Sequence, residues 1–293
     1  MCQQGIVFYL YHEDPESRQN LVFFLRHGVK PGSTYVWIVH GHHCSVDLPE
    51  STDAIPSKIV RKENALDLVG FRWVVESLNN EDDALFHAGR YDYVFFLNSS
   101  CRGPFLAPST GVDRWEDVFV RRMRSRNAHL VGPVLEVPFN AIRCPETGQM
   151  LSSVPFVHSY MLAMDAEAFA VVRDKVFRYL QDDTPRHTLL IIERYLSAAL
   201  LHAGLRIDSL LLRYRNTDWL DRSQWTVAPA DRGKLSCPEI PGNYQGIDLS
   251  PLEVVFFKNV RRVHEGRHAT AAGISPSSRL LVDRYTQWCN EKH

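Results

Sequence analysis

Runs of apolar residues alternate along the chain with polar, capped segments, and their period predicts the elements. "GIVFYLY" (5–11) is a compact apolar run of strand length. "DPESRQNLVFFLRHG" (14–28) reads as a helix: Asp14 is the N-cap, Pro15 takes the first helical position, and Arg26 and His27 precede a closing Gly28. "STYVWIVHG" (33–41) predicts a second strand, and "SKIVRKEN" (57–64) a short third one running into a polar corner. "LVGFRWVVESLNN" (68–80) has helical spacing. "YDYVFFLN" (91–98) is apolar on both faces, which predicts a central strand. This βαβ-like order predicts a mostly parallel sheet covered by helices. Ligands of such sheets sit beyond the carboxyl ends of the strands. The polar strand ends are therefore the candidate functional positions: Tyr11 to Glu13, His40 to Cys44, Arg61 to Asn64, and Asn98 to Arg102.

Further along, "WEDVFVRRMRS" (115–125) predicts a helix and "AHLVGPVLEV" (128–137) a strand. "FVHSYMLAMD" (156–165) predicts another strand, with Asp165 capping the helix "AEAFAVVRDKVFRYL" (166–180). "TPRHTLLIIERYLSAALLHAG" (184–204) is a helix closing on Gly204, and "RIDSLLLRY" (206–214) a strand. After Trp219 the pattern weakens, and Pro229, Pro238, Pro241 and Gly242 mark loops. "LEVVFFKNVRR" (252–262) is a last firm element before a C-terminal helix in "SPSSRLLVDRYTQWCNEK" (275–292). No repeat or long linker divides the chain. The expectation is one α/β domain over residues 1–293, with a core at about 5–215 and an extension at about 216–293 packing on it.

Composition narrows the function classes. The 293 residues are 45% hydrophobic and 23% charged, with a net charge of -1. That is ordinary globular composition, without the basic excess of a dedicated nucleic-acid binder. No segment reads as membrane-spanning: the most apolar region, Leu189 to Leu205, is broken by Glu193 and Arg194. The first residues lack the basic flank of a signal peptide. Six cysteines, at 2, 44, 101, 144, 237 and 289, include no CxxC and read as free thiols of a reducing compartment. A cytoplasmic location is the expectation, and Asn98-Ser99-Ser100 is then a chance sequon.

Four stretches, in order, resemble one family. "IVRKENALDLVGF" is similar to the Arg-x-x-Asn-x-x-Asp-x-x-Gly corner of sugar-nucleotide transferases of the GT-A fold. "YDYVFFLNSSCRGPF" resembles the strand-end segment of the rhamnan synthesis protein F group and related algal and viral glycosyltransferases. "VPFVHSYMLAMDAEAF" resembles that group's His-x-Gln-Ser strand, with Ser159 retained and the glutamine not clearly matched. "IIERYLSAALLHAG" resembles the helix start that carries the catalytic base of inverting GT-A enzymes, and the tail "LEVVFFKNVRR" also fits. The resemblance spans roughly Ile6 to Arg262. It implies a GT-A, Rossmann-like domain with a mixed, mostly parallel sheet. The implied activity transfers a hexose, rhamnose in the group's pattern, from a nucleotide-diphosphate sugar to a glycan acceptor.

Such a transfer needs a base for the acceptor hydroxyl, tolerance of an oxocarbenium-like transition state, and neutralisation of the departing diphosphate. Glu193 takes the family's acidic position, and a helix start there would favour its ionised form; the alternative is an ion-paired glutamate beside Arg194. Where GT-A enzymes carry Asp-x-Asp for a divalent cation, this chain has Asn98, Ser99 and Ser100. An amide and hydroxyls anchor a hard ion poorly and suit ribose or sugar hydroxyls. Two outcomes stand: Mn2+ or Mg2+ held weakly near Asn98 and Ser100, or no metal, with Arg102, Lys258, Arg261, Arg262 or His264 meeting the charge. Tyr11, at the end of the first strand, is a further candidate for nucleotide-sugar binding. By resemblance Arg61, Asn64 and Asp67 line the nucleotide pocket; Asn64 also reads as a helix N-cap. His158 and Ser159 are candidate sugar or acceptor contacts, His158 reading equally as a core histidine. Trp219 is either a stacking floor for a sugar ring or loop packing. "HGHHCS" (40–45) gathers three histidines and a cysteine, but adjacent ligands rarely close a tetrahedral site, and His264 with His268 reads as solvated surface. Glu81-Asp82-Asp83, the only close carboxylate cluster, reads as a solvated loop rather than a two-metal centre. A module of the same fold that binds nucleotide sugar or glycan without catalysis is the alternative reading.

Overall fold

Apolar runs on both faces place the first four strands in the middle of a sheet. In the computed structural model, which describes residues 5–63, 67–81, 83–138, 140–225, 237–239, 242–244, 246–259 and 276–291, they are β1 (Gly5–Tyr11), β2 (Ser33–His40), β3 (Ser57–Lys62) and β4 (Tyr93–Asn98). Helix α1 (Pro15–His27) links β1 to β2, and α2 (Asp67–Asn79) follows β3. Asp14 caps α1 as expected, accepting from the N–H groups of Glu16 and Ser17 at 3.1 and 2.9 Å. Gly28 ends α1 in a right-handed conformation (φ -99°). It is required by space, since a Cβ there would lie 2.5 Å from the Phe24 ring.

Beyond β4 come β5 (Cys101–Arg102), α3 (Trp115–Arg126), β6 (Leu130–Gly132), β7 (Leu135–Glu136), β8 (Ile142–Arg143), β9 (Met150–Leu151), β10 (Phe156–Val157) and β11 (Met161–Asp165). Then α4 (Ala166–Val171), α5 (Arg186–His202), β12 (Ile207–Ser209), α6 (Pro251–Val254), β13 (Phe257–Lys258) and α7 (Pro276–Glu291) complete the order. The central sheet has seven strands in the order β12-β6-β11-β4-β1-β2-β3. Neighbours run parallel except β11, which is antiparallel to both β4 and β6. The fold is therefore mixed α/β with a mostly parallel sheet flanked by helices. No helix among the described residues is long and apolar enough to cross a membrane.

Several elements are shorter than their patterns predict. Residues 128–137 break into β6 and β7 at Pro133, which has no N–H for the ladder. Residues 156–165 break into β10 and β11 around His158 to Tyr160, because the Ser159 N–H bonds a side chain instead of a neighbouring strand. β7 and β10 pair with each other as a separate antiparallel ribbon. Gly132 makes this crossing possible: a Cβ there would meet Val157 Cγ1 at 2.2 Å and the Met161 carbonyl at 3.1 Å. Residues 166–180 form α4, then a π turn over Val172–Val176 and a 3₁₀ turn over Phe177–Tyr179. The strand expected at 206–214 stops at Ser209 and gives way to a 3₁₀ turn at Leu212–Tyr214.

The topology marks a candidate crevice. The chain steps from β1 to β2 and β3 on one side, then returns to β4 on the other side of β1. Ligands of such sheets bind beyond the carboxyl ends at this reversal, between β1 and β4. Because β11 is antiparallel, its first residues arrive at that same end, beside Asn98.

Candidate functional site

At the reversal the strand ends are tied together by polar side chains. Ser99 donates its N–H to the Leu10 carbonyl (2.9 Å), and its hydroxyl accepts from the His12 N–H (3.1 Å). Ser99 is 2% exposed, so it joins β1 to β4 and is not a ligand-facing hydroxyl, a correction to the binding role expected for it. Tyr11 is buried and donates to Glu13 at 2.9 Å, and Glu13 also accepts from the Ser45 hydroxyl (2.7 Å) and N–H (2.9 Å). Burial raises the Glu13 pKa, but the Ser45 and Tyr11 donors outweigh it and hold the carboxyl below its usual range. Burial and the Glu13 carboxylate push the Tyr11 phenol well up, which keeps it a donor. Tyr11 thus fixes the loop beyond β1 and does not offer a free hydroxyl.

Asn98 bridges two neighbours. Its Oδ1 accepts from the Ser100 N–H (3.1 Å) and hydroxyl, and its Nδ2 donates to Asp67 Oδ1 at 3.1 Å. Asp67 holds a φ of +42°, in the left-handed region that non-glycine residues seldom adopt, at the first position of α2. Asp67, at the start of α2, thus presents a carboxylate to the end of β4. Asn98 Oδ1 already serves two donors, and Asp67 is the single carboxylate these contacts bring to it. The donor set does not fit a tightly held Mn2+ or Mg2+, ions that favour several carboxylate or phosphate oxygens. Asn98→Asp tests this arrangement. A second carboxylate facing Asp67 should lower stability by at least about 1 kcal/mol, since that is the repulsion of two neighbouring unit charges in water and Asn98 is buried. Added Mn2+ should restore the loss and leave the wild type unchanged, as read by thermal unfolding with and without the ion.

On the far side of β4, the Asn98 N–H donates to the Tyr160 carbonyl at 3.0 Å. The preceding residue, Ser159, donates both its N–H (2.8 Å) and its hydroxyl (2.7 Å) to Glu193 Oε1. Glu193 lies in the third turn of α5, not at its start as the motif implies, so the helix terminus does not act on it. Its orientation comes from Ser159. Lys258, on β13, has its Nζ 5.5 Å from the Tyr160 ring centroid, and its backbone is paired with Cys101. Asn98 with Asp67, Ser159 with Glu193, and Lys258 beside Tyr160 thus each contact the junction where β4 ends and β11 begins.

Other expected residues fall elsewhere. Arg102 is 3% exposed, and its guanidinium faces inward to Glu16 (2.7 Å), Asn20 (2.8 Å) and Gln19 (3.1 Å). It is a buried strut beneath α1, not a counter-charge for a diphosphate. Trp219 is 2% exposed with its ring against Tyr214, which rules out a stacking floor. Arg61 donates to the His42 carbonyl at 3.0 Å and braces the loop after β2, and His42 itself pairs with Glu63 at 2.8 Å. Glu81 pairs with Lys58, and Asp83 caps the turn at Leu85, so that acidic run is spent on structure. Asn64, Asp82, Arg261, Arg262, His264 and His268 lie outside the described residues.

His158 belongs to a buried polar group that the linear pattern does not reveal. Its Nε2 lies 3.2 Å from Glu136 and its Nδ1 3.4 Å from Glu239, while its ring stacks on Phe156. Burial works against the imidazolium, but the two carboxylates outweigh it and raise the pKa well above the ordinary histidine value. Glu136 and the Cys237-Pro238-Glu239 stretch stand far apart in the sequence, and only the tertiary fold brings them together around His158.

No protein-family model matches this chain, and comparison with curated protein sequences finds no match.

Proposed function

We propose that the chain is a glycosyltransferase of GT-A type that moves a hexose, in the family pattern rhamnose, from a nucleotide-diphosphate sugar to a glycan hydroxyl with inversion. The observation that carries this reading is that Asn98 and Glu193 bracket the same strand junction, one bonded to Tyr160 and the other to Ser159. In this reading Asp67 and Asn98 hold the nucleotide and ribose. Glu193, fixed through Oε1, takes the acceptor's proton on Oε2. The acceptor oxygen then bonds to the anomeric carbon as the bond from that carbon to the diphosphate oxygen breaks on the opposite face. The leaving diphosphate carries away the electron pair, and Lys258 meets part of its charge. The proton on Glu193 returns to solvent.

The second reading, a binding module without catalysis, is favoured by the internal satisfaction of Asn98, Ser99 and Ser100. A thermal-shift screen of UDP, GDP and dTDP and their sugars, each with and without Mn2+, tests both. One nucleoside class should raise the melting temperature, and its sugar nucleotide should release diphosphate over time. Binding without release would leave the module reading, and a screen without any shift would overturn both.

A further inference from the structure

The Glu136–His158 pair extends to a third donor. A carboxylate oxygen of Glu136, a ring nitrogen of His158 and the Cys237 thiol lie within 4.8 Å of one another. His158 and Cys237 are buried, and Glu136 is partly buried. The ladder register that sets Phe156 opposite Glu136 fixes the first two on one ribbon, whereas Cys237 comes from a segment that is distant in sequence.

We propose that Glu136, His158 and Cys237 form a zinc site that clips the segment at 237–239 to the turn before β11. The donor set favours this ion: one thiolate, one imidazole and one carboxylate suit Zn2+, whereas Mg2+, Ca2+ and Mn2+ prefer all-oxygen sites. Zinc bonds of about 2.0–2.3 Å set tetrahedral ligands about 3.5 Å apart. Glu136 and His158 Nε2, at 3.2 Å, are already close to that spacing, and rotation of the cysteine side chain closes the rest. Glu239 then acts outside the first ring of ligands. Its carboxylate lies 3.4 Å from His158 Nδ1 and 3.7 Å from Cys237 Sγ. From there it orients the imidazole so that Nε2 faces the ion, the usual arrangement of a carboxylate behind a metal-bound histidine. Coordination sends two protons to solvent, one from the Cys237 thiol and one from Nε2 of the His158 imidazolium, while Nδ1–H stays bonded to Glu239; water completes the tetrahedron. Among the described residues between 237 and 259, only the short α6 and β13 are regular, and the ion would anchor the 237–239 segment that precedes them.

The test is metal content and cobalt spectroscopy on the whole chain. Protein equilibrated with Zn2+ and then desalted should retain about one zinc per chain, the stoichiometry of a single tetrahedral site. Chelation should lower its melting temperature, and Co2+ substitution should give the thiolate charge-transfer band and the intense visible bands of tetrahedral cobalt. Cys237→Ser and His158→Gln should each lose the zinc, while Cys289→Ser keeps it. If those variants fail to fold, the wild-type cobalt spectrum alone decides. A wild type that retains no zinc and gives no thiolate band overturns the proposal, as does zinc retained by Cys237→Ser. Neither readout depends on sugar transfer.

Discussion

Glu193→Gln is expected to lower turnover by about 10²–10⁴-fold, the usual contribution of a positioned general base, while donor affinity stays unchanged. The amide oxygen of glutamine can still accept from the Ser159 N–H and hydroxyl, so the side chain keeps its place. What changes is the second atom: Oε2 becomes an NH2 group, which cannot take a proton. Ser159→Ala should fall less far, because the backbone N–H still holds the carboxylate. Single-turnover rates with the donor identified by the thermal-shift screen, beside its binding isotherm, separate chemistry from binding. A variant within tenfold of the wild type would remove Glu193 from the role and leave the donor site untouched. Loss of binding together with rate would instead make Glu193 a structural partner of the β11 turn.

The parts of this site that are legible in the sequence are those set by local chemistry. The apolar runs of β1, β2 and β4 and the caps at Asp14 and Asp165 follow from period and side-chain type, and both caps form as expected. That ligands sit beyond the carboxyl ends of such strands follows in turn from their parallel arrangement, whereas the reversal between β1 and β4 shows only in the strand order of the sheet. What the sequence hides is set by partners far along the chain. "FVHSYMLAMD" has the pattern of one strand, but the bond from Ser159 to Glu193, 34 residues away, turns it into two. Arg102 follows a strand end as an anion-binding cation would, yet its partners Asn20 and Glu16 stand 82 and 86 residues earlier and draw it inward. Trp219 follows a polar stretch that suggests exposure, and Tyr214 packs against it inside. In each case the residue type is right for more than one task, and only the tertiary environment selects between them.

Arg102→Met should cost ~3 kcal/mol of stability, the lower end of the range for removing one partner of a buried ion pair. The lower end applies because Glu16 keeps some solvent contact, its side chain being 31% exposed. The loss goes beyond one pair. Arg102 donates to Glu16, Gln19 and Asn20 together, and Asn20 in turn donates to the Ser99 carbonyl at 2.9 Å and to Asn259 at 2.7 Å. Methionine fills most of the aliphatic volume, so the expected deficit is electrostatic and hydrogen-bonding, not a cavity. Arg102→Lys should recover only part of it, since a single ammonium cannot span the fork of acceptors that the guanidinium reaches. Combining Arg102→Met with Glu16→Gln should restore some stability, because the stranded carboxylate is gone. Urea unfolding with an unchanged slope would read these differences. If Arg102→Met costs less than ~1 kcal/mol, the magnitude of an exposed surface pair, then the guanidinium is not confined as described and an outward, anion-facing role for it returns. If the cost is as large as expected, donor binding should weaken in the same variant, because the Ser99 carbonyl that Asn20 holds belongs to the turn carrying Asn98 toward Asp67.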